Sequence, residues 1–204
     1  MNRNYIFLTL LMVGLAAGTW FLKKPVEYKQ INPKDLLWEI IQPTRYVSTD
    51  KVAKMMIQKD PSLELIDVRS ASEFNHFSLP NTINLPLDSI LNKSSMDYFG
   101  IHGVNVVFIS NDGIKADQAW VLVKRLGFNA TYVMKGGLNR WIETIIQPKE
   151  PVEGSPRTAF ETYSFRKGAR LYFTGAKVET ATNSKKAKVV FKRKKKTTVA
   201  SGGC

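Results

Sequence analysis

The sequence predicts an α/β domain with a mainly parallel sheet over residues 44–147. Three observations predict it. Short apolar, β-branched runs alternate with amphipathic runs. The links between them are short, which favours strand–helix–strand units in one sheet. The run Leu63–Val68 reads as a strand covered on both faces, as parallel strands are.

The elements follow in order. Arg45-Tyr46-Val47 is a short first strand. Ser48 or Thr49 then caps an amphipathic run (Val52, Ala53, Met56, Ile57) that stops at Asp60-Pro61. Leu63–Val68 is the second strand and Thr82–Leu85 the third. Val104–Ile109 is the clearest, being β-branched with Asn105 as its one turn former. Ala116–Leu126 is helical and Gly127 closes it in a left-handed cap. Thr131–Met134 is the last strand and Leu138–Ile146 the last helix. Gly136-Gly137 allow a sharp turn between them. Trp120 and Trp141 are placed for core packing.

Extensions flank this domain. Residues 1–24 read as a membrane segment: Tyr5 to Leu22 carries no charge, Arg3 precedes it and Lys23-Lys24 follow. As a helix that run reaches about 27 Å, close to the hydrocarbon thickness, which predicts a transmembrane helix. A cleaved signal peptide, with Ala16 and Gly18 as its small residues, is the rival reading. The lysine count favours a cytoplasmic domain and the signal-like N-terminus an exported, periplasmic one; export is the expectation adopted. Residues 25–43 form a connector in which Asn32 caps a short helix, Pro33 opens it and Pro43 closes it. Leu36, Leu37, Ile40 and Ile41 give that helix an apolar face, read as packed on the domain. Residues 148–175 are a Pro-containing linker and an amphipathic helix over Thr158–Phe173, either docked on the domain or lying on an anionic membrane. Residues 176–204 are expected to be a disordered basic tail with the run Lys192–Lys196.

Charge and cysteine content narrow the function classes. The net charge is +13, but residues 151–204 hold 13 Lys+Arg against 3 Asp+Glu, so the basicity belongs to the C-terminal arm. Anionic lipid is the partner expected of that arm; nucleic acid is the lesser reading. An apolar share of 44% excludes wholesale disorder. The single cysteine, Cys204, excludes a disulfide framework, a cysteine-rich zinc site and a Cys-x-x-Cys redox pair. No metal or cofactor is expected.

The motifs point to a family. Asp67-Val68-Arg69, then Glu73-Phe74, then Leu79-Pro80-Asn81-Thr82-Ile83-Asn84-Leu85-Pro86, then Gly136-Gly137-Leu138-Asn139-Arg140-Trp141 resemble, in order and spacing, the rhodanese-like domain. That family reads Asp-x-Arg, Glu-Tyr, Ile-Pro-Gly-Ala-x-Asn-Ile-Pro and Gly-Gly-x-x-x-Trp. The resemblance covers about half the chain. It implies a five-stranded parallel sheet flanked by helices, and an activity that carries sulfane sulfur as a cysteine persulfide.

In the family, the strand matching Val106-Val107-Phe108-Ile109 delivers a cysteine to a loop closed by a basic residue. Here the loop reads Ser110-Asn111-Asp112-Gly113-Ile114-Lys115. Its length and basic end match, and Ser110 stands where the resemblance implies the cysteine. A serine hydroxyl does not form a persulfide and does not ionise near neutral pH. His76 and His102 are expected on the surface or in loops, not as bases. The six loop residues are the candidate anion-binding loop, with Asp112 placing a negative charge in it. Asp67 and Arg69 are candidate supports through a local salt bridge.

Three functions follow. The first is a membrane-tethered rhodanese-like domain, silent at the usual cysteine position, that binds or scaffolds a protein partner. The second is a sulfurtransferase or sulfur relay using the Cys204 thiol. The third is a basic interaction protein whose tail binds anionic lipid or nucleic acid.

Overall fold

The computed structural model describes residues 2–20 and 30–175. The predicted basic tail, Lys192–Lys196 and Cys204 lie outside the described residues, as does the connector up to residue 29.

The domain is a five-stranded, wholly parallel sheet. Its strands are β1 (Tyr46–Val47), β2 (Leu63–Asp67), β3 (Thr82–Asn84), β4 (Asn105–Ile109) and β5 (Thr131–Met134), in the spatial order β1-β5-β4-β2-β3. Leu65 pairs with Val107 and Thr82, and Phe108 with Ile66 and Val133. This register puts alternate strand residues into two cores. One holds Leu65, Val107, Ile109 and Met134. The other holds Ile66, Val106, Phe108 and Val133. The α/β class and the parallel sheet are those the sequence predicts. Arg45 departs, sitting in a 3-10 turn over Pro43–Arg45 and leaving only Tyr46–Val47 as strand.

Helices cover both faces. Helix α1 (Arg3–Trp20) and helix α2 (Pro33–Ile41) precede the sheet. The Asn32 side chain caps α2 by accepting from the Lys34 N–H at 3.0 Å. Helix α3 (Thr49–Gln58) is capped by Ser48 and buries Val52 and Ala53. Helix α4 (Ala71–His76) follows β2 and was not predicted. Helix α5 (Ile114–Arg125) buries Trp120, whose indole N–H donates to the Thr131 carbonyl at 2.8 Å. Helix α6 (Gly137–Trp141) buries Trp141 and passes into a π-helical turn over Ile142–Ile146. Residues Arg157–Thr174 form helix α7. It packs on α3 and the π-helical turn, with Ala169 buried and Phe173 edge-on to Trp141. The Arg166 guanidinium grips both oxygens of Asp50 at 2.7 Å, fixing α7 to the start of α3.

Two expectations need correction. The sequence predicts a transmembrane helix over Tyr5–Leu22, but among the described residues no helix is long and apolar enough to cross a membrane. Arg3 and Asn4 occupy the first turn of α1. The remainder, Tyr5–Trp20, is about 24 Å long, short of a hydrocarbon layer of ~30 Å. Phe21 and Leu22 lie outside the described residues. The second correction concerns α2. Ile40 packs against the α5-side core, but Leu37 and Ile41 of the same expected face are turned outward. A helix resting on one neighbour can cover only part of a wide apolar stripe.

Because Ala169 lies where α7 meets the domain, Ala169→Leu should overpack that contact. The expected loss is about 1–3 kcal/mol, read as a lower urea midpoint at unchanged m-value.

Candidate functional site

The loop after β4 lies beyond the carboxyl ends of the strands, where open parallel sheets place their ligand sites. It turns directly into α5, and its own side chains meet the helix's first donors. Ser110 Oγ, buried at 1% exposure, accepts from the Gly113 N–H at 3.0 Å and the Ala116 N–H at 3.3 Å. Asp112 Oδ1 accepts from the Ile114 N–H at 2.9 Å. The Asp112 carboxylate thus serves as a cap at the positive end of the helix. Gly113, at φ +102°, makes the turn that aims these N–H groups inward.

A second turn braces the loop from behind. The Leu138 N–H donates to the Ser110 carbonyl and the Asn139 N–H to the Asn111 carbonyl, both at 2.9 Å. The start of α6 is therefore hydrogen-bonded to the loop backbone. Gly137 makes this possible: at φ +59°, a Cβ there would lie 2.3 Å from the Ser110 carbonyl oxygen and 2.6 Å from that of Asn111.

Polar side chains tie the front of the loop to β2 and α4. Asp67 and Arg69 are both buried, and Arg69 Nη2 lies 2.6 Å from Asp67 Oδ2. Arg69 Nε also donates to Asp67, Nη2 to the Phe77 carbonyl at 2.6 Å, and Nη1 to Asn111 Oδ1 at 3.0 Å. Asn111 Nδ2 then donates to Glu73 Oε1 at 2.8 Å. Lys115 Nζ stands 3.6 Å from Glu73 Oε2. Asn84 Nδ2 donates to the Asp67 and Arg69 carbonyls, holding the end of β2.

The structure thus brings Asp67, Arg69 and the loop residues Ser110 to Lys115 together. Among the described residues, neither His76 nor His102 hydrogen-bonds Ser110. Sequence reasoning missed the bridging role of Asn111 and the anchoring role of Glu73. A signal for Glu73 was present: Ser70 and Glu73 have capping-box spacing, and both reciprocal bonds form. The role of Asn111 has no sequence signal, because its partners are about forty residues away.

Glu73 is held well below its ordinary value, from 4.5 down to about 2. The Ser70 hydroxyl is the largest cause, followed by the Ser70 N–H; Asn111 and Lys115 add to it and burial opposes it. A depressed carboxylate contributes stability that is present above its unfolded value and lost as pH falls through its folded one. The Glu73–Asn111 tie should therefore persist down to pH 4.5 and loosen between 4.5 and about 2. Carboxyl NMR titration should place the Glu73 midpoint near 2, and Ser70→Ala should raise it. Separately, Gly137→Ala should push the loop off α6 and cost about 3 kcal/mol or more, measured by chemical denaturation.

Residues 48–144 match the family model described as the rhodanese-like domain. The chain is 23% identical over 103 residues to a mitochondrial thiosulfate sulfurtransferase of Saccharomyces cerevisiae, covering 46% of this chain and 69% of that one. It is 28% identical over 110 residues to an uncharacterised Buchnera aphidicola protein, covering 52% and 73%. Among solved structures, a rhodanese-related protein of Thermoplasma volcanium aligns with a TM-score of 0.41 at 22% identity, over 55% of this chain and 95% of that one. A single-domain sulfurtransferase of Saccharomyces cerevisiae aligns with a TM-score of 0.42 at 22% identity, over 50% and 91%. With the family match over residues 48–144, which holds four of the five parallel strands, this segment of the chain is a rhodanese-like domain.

Proposed function

We propose that the rhodanese-like domain acts as a binding or scaffolding module whose nucleophile position is silent, and that the N-terminal helix holds it at a lipid surface. One observation carries the first half. The buried atom that accepts the loop and helix N–H groups is the hydroxyl oxygen of Ser110, at the place where the family resemblance implies a cysteine sulfur. The yeast relative is named a thiosulfate sulfurtransferase, and transfer through a persulfide needs a thiolate. A hydroxyl in this position accepts the same hydrogen bonds but carries no sulfur, and no histidine activates it. Asp112 and Ser110 already occupy the donors of Gly113, Ile114 and Ala116, which leaves little for an incoming anion.

The second half is supported by α1. Its residues 3–19 are all exposed, and Tyr5, Phe7, Leu8, Leu10, Val13 and Leu15 point around its whole circumference. A helix apolar on every side is stable in an apolar medium rather than in water. Entry into the acyl layer from one side, short of a full crossing, matches its length.

Thiosulfate:cyanide turnover by the full chain and by Ser110→Cys tests the reading. The native protein should form no thiocyanate above the uncatalysed rate. In Ser110→Cys, the introduced thiol should titrate below the free-cysteine value of about 8.5, because the loop N–H groups and the α5 N-terminus favour the thiolate. It should also retain one sulfur from thiosulfate, seen by peptide mass spectrometry. Turnover by the native chain, with sulfur on the peptide containing Cys204, would replace this reading with a sulfur relay.

A further inference from the structure

Among the described residues of the connector, the outward face of α2 is an apolar feature that neither the domain core nor the candidate site uses. Leu37, Trp38 and Ile41 are 60%, 57% and 60% exposed. With the exposed Lys34 they fall at i, i+3, i+4 and i+7, one stripe of the helix. The opposite face is committed to the domain. Ile40 packs against the core beside α5, and Glu39 Oε1 lies 3.5 Å from Lys124 Nζ. The helix is also fixed at both ends. The Ile31 N–H donates to the Arg125 carbonyl at 3.0 Å, and Arg45 Nη1 donates to the Ile40 carbonyl. The stripe is therefore held outward by the fold and does not arise from a loose helix.

We infer that this stripe is a second lipid contact, in which Leu37, Trp38 and Ile41 enter the interface of an anionic membrane and seat the domain against it. The inference rests on the proposed attachment through α1. Four features favour lipid as the occupant. Glu39 is paired with Lys124 off the stripe, and the charge on the stripe itself is the cation Lys34, with the exposed Asp35 at its edge. A tryptophan beside a lysine on an aliphatic face is the composition of a helix lying in the interface. The sequence joining α1 to α2 holds Lys23, Lys24 and Lys29 against Glu27, which complements anionic headgroups. Finally, α1 is apolar on every side, which a protein groove would cover only in part and lipid covers completely. With α1 in the lipid layer, the chain from Trp20 to Pro33 keeps the start of α2 within about 45 Å of it even when fully extended.

The test uses the full chain and vesicles of phosphatidylcholine, with or without phosphatidylglycerol, whose acyl chains are brominated to quench tryptophan. The share of emission removed by Trp38→Phe reports on α2, and the share removed by Trp20→Phe on α1. Trp120 and Trp141 are 1% exposed and do not reach the lipid. The Trp38 share should be quenched, more strongly with phosphatidylglycerol present. Combining Leu37→Asp with Ile41→Asp should weaken vesicle binding about tenfold or more, since two aliphatic side chains would lose their apolar surroundings. Near-ultraviolet circular dichroism of that variant should match the native chain, because both side chains are exposed. Quenching of the Trp20 share without the Trp38 share would overturn the inference and leave the α1 attachment standing. Absence of both, with no co-sedimentation, would remove the attachment reading and the inference together. A lipid-free dimer abolished by Trp38→Asp would assign the stripe to a second copy and overturn the inference.

Discussion

The buried pairing of Arg69 with Asp67 is the contact on which the site depends. Parallel strands end at one edge of the sheet with their polar loops unconnected to one another. A single planar guanidinium joins them here: it binds Asp67 at the end of β2, the Phe77 carbonyl just past α4, and Asn111 in the loop after β4. Its fork geometry suits this task, and a lysine could not reproduce it. Such a pair adds little net stability over an apolar substitute. Losing one partner, however, strands the other charge in the interior at about 3–5 kcal/mol. The value of the pair therefore lies in position: it fixes where Asn111, and through it the whole Ser110 loop, stands.

Given that position, the electrostatics of the loop follow from its own residues. The first turn of a helix offers N–H groups that attract an anion. In this loop the Ser110 hydroxyl and the Asp112 carboxylate accept them. Glu73 and Lys115 close the front, with Glu73 anchored by its capping box and by Asn111. The outcome is a loop whose side chains accept several of its own N–H groups and are tied to β2 and α4.

Around this centre the chain adds elements on opposite faces. Helix α7 closes the face carrying α3 and α6, through Ala169, Phe173 and the Arg166–Asp50 pair. Helix α2 covers part of the α5 face through Ile40, Glu39 and Arg45. Neither extension touches Ser110 by a hydrogen bond, so each can tune stability or attachment without disturbing the loop.

Much of this was legible in the sequence because it depends on local spacing. The strands of residues 63–68 and 104–109, the caps at Asn32 and Ser48, and the glycine that closes α5 all follow from neighbours within a few residues. The family motifs fixed the sheet and the place of the loop, and Ser110 itself is a sequence fact. Helix α4 was equally local, its Ser70–Glu73 capping box lying unread in the sequence. What the sequence did not contain were the choices made between distant groups. Asn111 bridges Arg69 and Glu73 only because the register of β2 against β4 brings their ends together. Leu37 and Ile41 face outward only because α5 offers α2 one narrow line of contact. Hydrophobic periodicity shows which residues can be covered; which of them are covered depends on a partner surface that exists only once the chain has folded.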